Sequence, residues 1–517
     1  MPDTVFVFEV HQPFRLRRDI LRNLIAEGIG GRLSFEKLFN VFFDNDSNRE
    51  IFSRVAEKCY VKATKILLDS IRFVRRNGKD FKFALSISGV LIEQSLMWDK
   101  RVVEVFQEAV NERAVEIIDQ TYYHSLASLF SPDEFEEQLA LHRSLMKEVF
   151  GVEPHVAENT EFIYNNEIAN IMCRLGYEAV LTEGVERVLG WRSPNYVYRV
   201  KGCETKVLTR NYRLSDDIGF RFSDRSWDQY PLTADKYALW LSRTPGDVIL
   251  IAIDYETFGE HHQPGTGIYE FLKWLPIEMT KYGELAAVTP SEAIRRHPAR
   301  DCIDVPPWET ISWADERDLS AWLGNELQRR AFEIYTSIEP YAKAVGGEAL
   351  RIWRYLGISD HLYYMATKGG AAGAVHHYFS PYKDVYITYT AYVEALSILY
   401  TMIVNEVSSK PRLYAPRIVL PYAKAFRFYL DPYTPLSYQA RSLKELVVAI
   451  KSFVPPESIA FHLIRGDMAK WIRNMFFLDD VAKDLEILGA RVREGFVKID
   501  KVKEETLRVF EHHLGLR

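Results

Sequence analysis

The sequence predicts an α/β protein built on an incomplete (β/α)7 barrel, followed by a helical subdomain and a small α+β C-terminal module. Three observations carry that expectation. Short apolar, β-prone runs alternate with stretches of helical spacing over residues 1–290. Polar residues collect directly after each apolar run, which is where barrel and open-sheet enzymes hold ligands. Seven such runs occur, one fewer than a complete eight-stranded barrel needs. A doubly wound open sheet would give a similar alternation, but no GxGxxG follows any of the runs. Periodicity alone leaves both topologies open.

The first run, Val5–Phe8, is wholly apolar and ends in Glu9, Val10, His11, Gln12 and Pro13, where proline stops the strand. His11 there reads equally well as a site residue or a structural histidine. Residues 35–76 are helical by spacing, with Ile66, Leu67, Ile71 and Val74 on one side and basic residues near the end. Phe81–Ser88 is the second strand, followed by Gly89, Leu91, Glu93 and Gln94. A helix over 100–114 leads to a third strand, Val115–Ile118, which ends in Asp119, Gln120, Tyr122, Tyr123 and His124. Ser131-Pro132-Asp133-Glu134 opens a helix with a capping signature. His155–Asn159 is the fourth strand and delivers Thr160 and Glu161. A helix over 165–175 precedes the fifth, Ala179–Leu181. Lys206–Leu208 is the sixth and Val248–Ile253 the seventh. Leu285–Val288 then runs into Thr289-Pro290-Ser291-Glu292, an N-cap, an N1 proline and a capping-box glutamate.

Residues 291–410 change to long helical patterns, read as a subdomain completing the cleft. They carry polar clusters at Trp313-Ala314-Asp315, Trp322, Ser359-Asp360-His361 and His376-His377. Pro411, Pro416 and Pro421 mark a boundary, and 411–517 form the small module: strands at Ala425–Leu430 and Ser458–Leu463, helices at Ser442–Phe453, Met468–Phe477 and Asp480–Leu488. The net charge of −6 argues against a nucleic-acid partner. The four cysteines show neither CxxC pairing nor metal spacing, which points to a reducing compartment. With no leader-like N-terminus and no apolar run of membrane length, the expectation is a cytoplasmic protein with no membrane contact. Oligomeric state is not legible.

Chemistry gathers after the seventh strand, where Asp254, Glu256, Glu260, His261 and His262 fall within nine positions. Carboxyl groups crowded at one buried strand end raise one another's pKa, which makes a general acid that holds its proton near neutrality. Glycosidic cleavage needs such an acid and a second carboxylate to trap the oxocarbenium-like carbon. At a separation of about 5–5.5 Å the second group acts as nucleophile and configuration is retained. Glu161, after the fourth strand, is the partner chosen for Asp254, although spacing alone makes it one acid among many.

HQP (11–13), ENTEFIYNNEIA (158–169), IDYETFGEHH (253–262) and ISDHLYYM (358–365) resemble motifs of glycoside hydrolase family 57, most closely its archaeal-type α-amylase branch. RNYRLSDDIGFRFS (210–223), SWADERDLSAWLGN (312–325) and VHHYFSPY (375–382) are similar to that branch as well. The resemblance implies a (β/α)7 barrel and retaining cleavage of α-glucans or maltooligosaccharides, with no metal or other cofactor. Carried onto this chain, it makes Glu161 the nucleophile and Asp254 the acid and then base. It also implies substrate-binding roles for His11 and Asp360, to which Gln12, Glu93, Glu256, Trp322 and His361 are added. Two departures stand out. Glu9 replaces the first histidine of the His-x-His found in many members, and Gly89–Glu93 fits the second motif loosely.

Other readings stay in view. The same intermediate would serve a 4-α-glucanotransferase or a branching enzyme. A metal-dependent carbohydrate deacetylase would use Asp254, His11 and a further histidine as ligands. However, His124, His361, His376 and His377 lack the helical pairing with acids that zinc sites show. A silent glucan-binding protein is the non-enzyme alternative. Trp240, Trp313, Trp322 and Trp353 are equally candidates for sugar platforms and for core. In the C-terminal module, which resembles an uncharacterised domain attached to sugar-active proteins, Glu457, His462, Arg465 and Asp467 read chiefly as structural.

Overall fold

The computed structural model describes residues 1–26, 33–314 and 316–515. Its main sheet contains β1 (Asp3–Val10), β2 (Phe83–Ile87), β3 (Val115–Ile118), β4 (Val156–Glu158), β5 (Ala179–Glu183), β6 (Val197–Val200), β7 (Lys206–Arg210), β8 (Val248–Asp254), β9 (Ala286–Ala287) and β10 (Cys302–Ile303). The seven runs read from sequence are β1–β5, β7 and β8. They pair in parallel in the order β4-β5-β7-β8-β1-β2-β3. Between β3 and β4 the ladder shrinks to one bridge, in which Asp119 N donates to Val156 O and Glu158 N to Asp119 O, both at 2.9 Å. Around that narrow seam the buried Asp119 carboxylate is fully engaged: it meets His142 Nδ1, accepts from Tyr177 Oη at 2.5 Å, and faces Arg143 Nε at 3.4 Å. Three short strands were not read as such. β6 runs antiparallel to β7 and carries β10 on its outer edge, and β9, within the run at 285–288, pairs with β1.

Strand residues sort by parity into two cores, as alternating side chains must. Phe6, Phe8 and Val10 of β1 and Ile249, Ile251 and Ile253 of β8 pack outward against helices such as Lys62–Arg76 and Ile268–Met279. Val5, Val7, Val156, Ala179, Leu181, Leu208, Val248, Leu250 and Ala252 fill the interior. Continuing the interior parity by one step to each carboxyl end places Glu9, Glu158, Glu183, Arg210 and Asp254 in the barrel's top layer. Parallel register then sets Glu9 beside Asp254 and Glu183 beside Arg210. The apolar alternation that makes the strands thus also aims the polar groups inward.

Contacts divide the chain into two compact units: 1–24, 40–332 and 357–392 in one, 25–39, 333–356 and 393–517 in the other. Neither follows the boundaries at 290 and 410 read from sequence. In the second unit an antiparallel hairpin, β11 (Phe426–Asp431) with β12 (Thr434–Ala440), joins a set of helices. Ser458–Leu463, expected as a strand, lies inside the helix Pro456–Arg465. Pro456 starts that helix, Gly466 ends it at φ 72°, and Ser458–His462 and Ile459–Leu463 are buried at i, i+4 spacing. His462 is structural there: Nε2 accepts from Tyr429 N at 2.9 Å and Nδ1 meets Asp467 Oδ1 at 2.9 Å.

Two further expectations need correction. Cys173 and Cys203 form a disulfide across 30 residues, joining the helix Asn166–Arg174 to the turn before β7. Distant cysteines of this kind give no local motif, so the reducing-compartment expectation loses part of its basis. The helix Val385–Ser409 is long and apolar enough, by length and composition, to cross a membrane. Its stripe Tyr392, Leu396, Leu399, Ile403 and Val407 is buried within the fold, the pattern of a helix packed along one face.

Candidate active site

A cleft of about 380 Å³ opens at the carboxyl ends of the strands. It lies wholly among residues of the first unit and falls in the size range of small-molecule sites. Both expected catalytic carboxylates line it. Glu161 sits in a 3-10 turn, Thr160–Phe162, directly after β4, with a left-handed backbone at φ 61° and ψ 24°. A non-glycine residue holds that conformation only where its surroundings fix it. Here Trp313 does so twice: its backbone N–H donates to Glu161 O at 3.1 Å and its indole Nε1 to Oε2 at 2.7 Å. The indole in turn stacks on Phe162 at 4.8 Å. Oε1 faces His124 Nε2 and Ser359 Oγ, both at 3.4 Å.

Asp254 ends β8, register partner of Glu9. Burial, and then the charge of Glu161, raise its pKa to about 7 against the opposing pull of Arg210 and His124. A large fraction of it is therefore protonated near neutral pH, as a general acid needs. Glu256 is pushed to about 8, by burial and then by Asp254, and receives a hydrogen bond from Tyr60 Oη. Glu158, fully buried, is raised to about 8, chiefly by burial.

The histidines divide their duties. Burial, and then the neighbouring His124, lower His11 to about 4, so its ring is neutral. Asp360 accepts from His11 Nε2 at 3.1 Å, which leaves Nδ1 to accept from Ser88 Oγ at 2.7 Å. Burial works against the Asp360 charge, but the His11 hydrogen bond, with His124 and Arg15, holds that carboxyl well below its usual range. The His124 ring stacks on His11 at 4.1 Å. Burial opposes a charge on His124, yet Glu161, Asp360 and Glu158 outweigh it and raise its pKa. Ser88 is the N-cap of the helix Gly89–Trp98, whose first residue must be glycine because a Cβ there would meet the Tyr122 ring at 2.7 Å.

Of the substrate-binding candidates, His11, Gln12, Glu256 and Asp360 line the cleft and Glu93, Trp322 and His361 do not. Glu93 accepts from Tyr122 Oη at 2.7 Å, Trp322 is fully buried, and His361 packs between Phe43 and Tyr392. Asp315 lies outside the described residues. Among the tryptophans weighed as platforms, Trp313 alone is on the cleft wall; Trp240 packs on Trp227, and Trp353 is core. Sequence reasoning named Glu9 only as a departure from the His-x-His pattern, weighed His124 only as a metal ligand and gave Arg210 and Arg317 no role, yet all four line the cleft. The signal for Glu9 was its parity with Val5 and Val7. Among the described residues no group of three or more His, Cys, Asp or Glu side chains is placed to hold a metal ion.

Residues 5–306 match glycosyl hydrolase family 57. The chain is 47% identical over 406 residues to a protein of Methanocaldococcus jannaschii named "Putative alpha-amylase", covering 76% of this chain and 83% of that one. Two solved structures share its fold. One is a GH57 branching enzyme from Thermococcus kodakaraensis (TM-score 0.53, 13% identity, 81% of this chain and 96% of that one). The other is a GH57-type branching enzyme from Pyrococcus horikoshii (TM-score 0.54, 14% identity, again 81% and 96%).

Proposed function

This chain belongs to glycosyl hydrolase family 57 and is a glycoside hydrolase, and from that premise we propose that it cleaves α-1,4 linkages of α-glucans with retention of configuration. The observation that carries the reading is the contrast between two carboxyl groups facing one cleft. Asp254 holds a proton near neutrality, while Glu161 is surrounded by donors from Trp313, His124 and Ser359. In the first step a Glu161 oxygen bonds to the anomeric carbon as the glycosidic C–O bond breaks, and the Asp254 proton passes to the leaving oxygen. In the second, the Asp254 carboxylate takes a proton from water, whose oxygen replaces Glu161 at the same carbon. Two inversions restore the starting configuration. The name of the Methanocaldococcus relative supports water as acceptor and an α-amylase-like outcome.

The test is Glu161→Ala on maltooligosaccharides, with products followed by NMR. Hydrolysis should fall by several orders of magnitude, and azide should restore turnover as a glycosyl azide inverted relative to the substrate. Rescue of Asp254→Ala to that inverted product would reverse the two roles. A first-formed β-anomer from the unaltered enzyme would end the retaining mechanism. Longer transfer products in place of new reducing ends would assign a sugar acceptor, as in a 4-α-glucanotransferase or branching enzyme.

A further inference from the structure

Glu9 takes no part in the two steps above, yet it is the most conspicuous side chain on the cleft floor. It is 4% exposed and lines the cleft, and among the described residues neither of its carboxyl oxygens has a hydrogen-bond partner. The basic atom beside it, His124 Nδ1, lies 3.3 Å from Oε1, but the hydrogen on that nitrogen is committed elsewhere. Gln120 donates from Nε2 to Ser86 Oγ at 2.9 Å, so its Oε1 is an acceptor, and it receives His124 Nδ1–H at 2.9 Å. Glu9 is therefore a buried carboxyl group with its hydrogen-bonding capacity unspent. Such groups are costly and scarce in folded proteins, and one that faces a cleft finds its partner in what the cleft binds.

We propose that Glu9 is a specificity-determining residue, which holds the adjacent 2- and 3-hydroxyls of the sugar ring whose anomeric carbon Glu161 attacks. The inference rests on the glycosidase reading above. Geometry sets the ring: Glu9 is the register partner of Asp254, and Glu9 and Glu161 flank opposite nitrogens of one imidazole, that of His124. Chemistry sets the hydroxyls: within an α-1,4-linked chain, O1 and O4 are used in linkages, so O2 and O3 form the adjacent free pair. Burial, and then the charges of Glu158, Glu161, Asp254 and Glu256, push the Glu9 pKa well above the usual carboxyl range. A protonated carboxyl donates through one oxygen and accepts through the other, a two-point match to such a pair.

The experiment measures kcat/KM for α-maltosyl fluoride and for its analogues lacking the 2-, 3- or 6-hydroxyl of the reacting ring. It compares the wild type with Glu9→Gln, Glu9→Ala and Glu9→Leu. In the wild type, loss of the 3-hydroxyl should cost about tenfold or more. In Glu9→Ala and Glu9→Leu the parent fluoride should react roughly a hundredfold more slowly, and the 2- and 3-deoxy effects should shrink to within about threefold of the 6-deoxy effect. Glu9→Gln, which also offers one donor and one acceptor, should keep both the 2- and 3-deoxy penalties. Glu9→Leu, which removes a buried unpaired carboxyl, should melt no lower than the wild type and so guards against loss of fold. Deoxy penalties in Glu9→Leu equal to the wild type's would overturn the role of Glu9 while leaving the glycosidase standing. A wild type inert toward every fluoride would overturn the glycosidase reading and this inference together.

Discussion

Single side chains in this site are set by what lies within one hydrogen bond of them. In the proposed mechanism Asp254 acts from its protonated form, and the protonated fraction falls as pH rises through about 7. The rate on maltooligosaccharides should therefore decline on the alkaline side of neutrality, tenfold per pH unit well above that value. With α-maltosyl fluoride, whose leaving group needs no proton, the decline should vanish; its persistence would place the titrating group elsewhere. Trp313 makes a second residue-scale case, since its indole donates to Glu161 Oε2 while its ring stacks on Phe162. Trp313→Phe keeps the stack and removes the donor. A hydrogen bond to a charged group is worth about 1.5–3 kcal/mol, so kcat should drop about 10- to 100-fold with the melting temperature little changed. The two carboxylates were legible in sequence because each follows an apolar run and lies in a recognisable motif. Trp313 was not separable from Trp322 or Trp353, because an indole is as suitable for core as for a cleft wall. What distinguishes it is the return of its loop, through the Tyr164–Ile311 bridge, onto Glu161.

At the scale of elements, the ends of β5 and β7 are tied by a network of charges as well as by their parallel ladder. Arg210 donates to Glu183 at 2.9 Å, to Asp216 at 2.6 Å and to Ala252 O at 2.7 Å, and Arg317 reaches both acids from the other side. Glu183 is almost fully buried. Arg210→Met deprives it of its closest cation, which costs about 3–5 kcal/mol for a broken buried pair, readable by urea unfolding. Arg210 also holds the Asp254 pKa down, so the alkaline decline in rate should move to higher pH in the same variant. A normal unfolding midpoint would show the network to be dispensable. The strands β1, β2 and β8 were legible because their residues are buried on both faces and are mostly apolar. β12 was not, because nearly all its residues are exposed and no alternation remains. Ser458–Leu463 misled for the opposite reason: six mostly apolar residues suit a strand or one buried helical face, and only Pro456 and Gly466 decide between them.

At the scale of the whole chain, the question is where it divides. The prolines at 411, 416 and 421 suggest a boundary at 410, but contacts assign 393–517 to one unit together with 25–39 and 333–356. Proline marks where a helix stops, and that need not be where a core stops. Leu396, Leu399, Ile403 and Val407 of the helix Val385–Ser409 are fully buried. Beyond 410 the chain returns to that unit: Tyr414 Oη donates to Glu406 at 2.7 Å, and Phe477 meets the Tyr341 ring at 6.0 Å. A chain ending at 410 keeps the apolar helix and removes the segment that carries Tyr414 and Phe477. Exposing four large aliphatic side chains costs about 1.5–3 kcal/mol each, a sum comparable to the stability of an entire domain, about 5–15 kcal/mol. The 1–410 fragment should therefore aggregate or elute as large species in size-exclusion chromatography, and lose its cooperative melting transition. A monomeric 1–410 fragment melting at the temperature of the full chain would instead make 410 a true domain boundary. The final segment would then be an independent module.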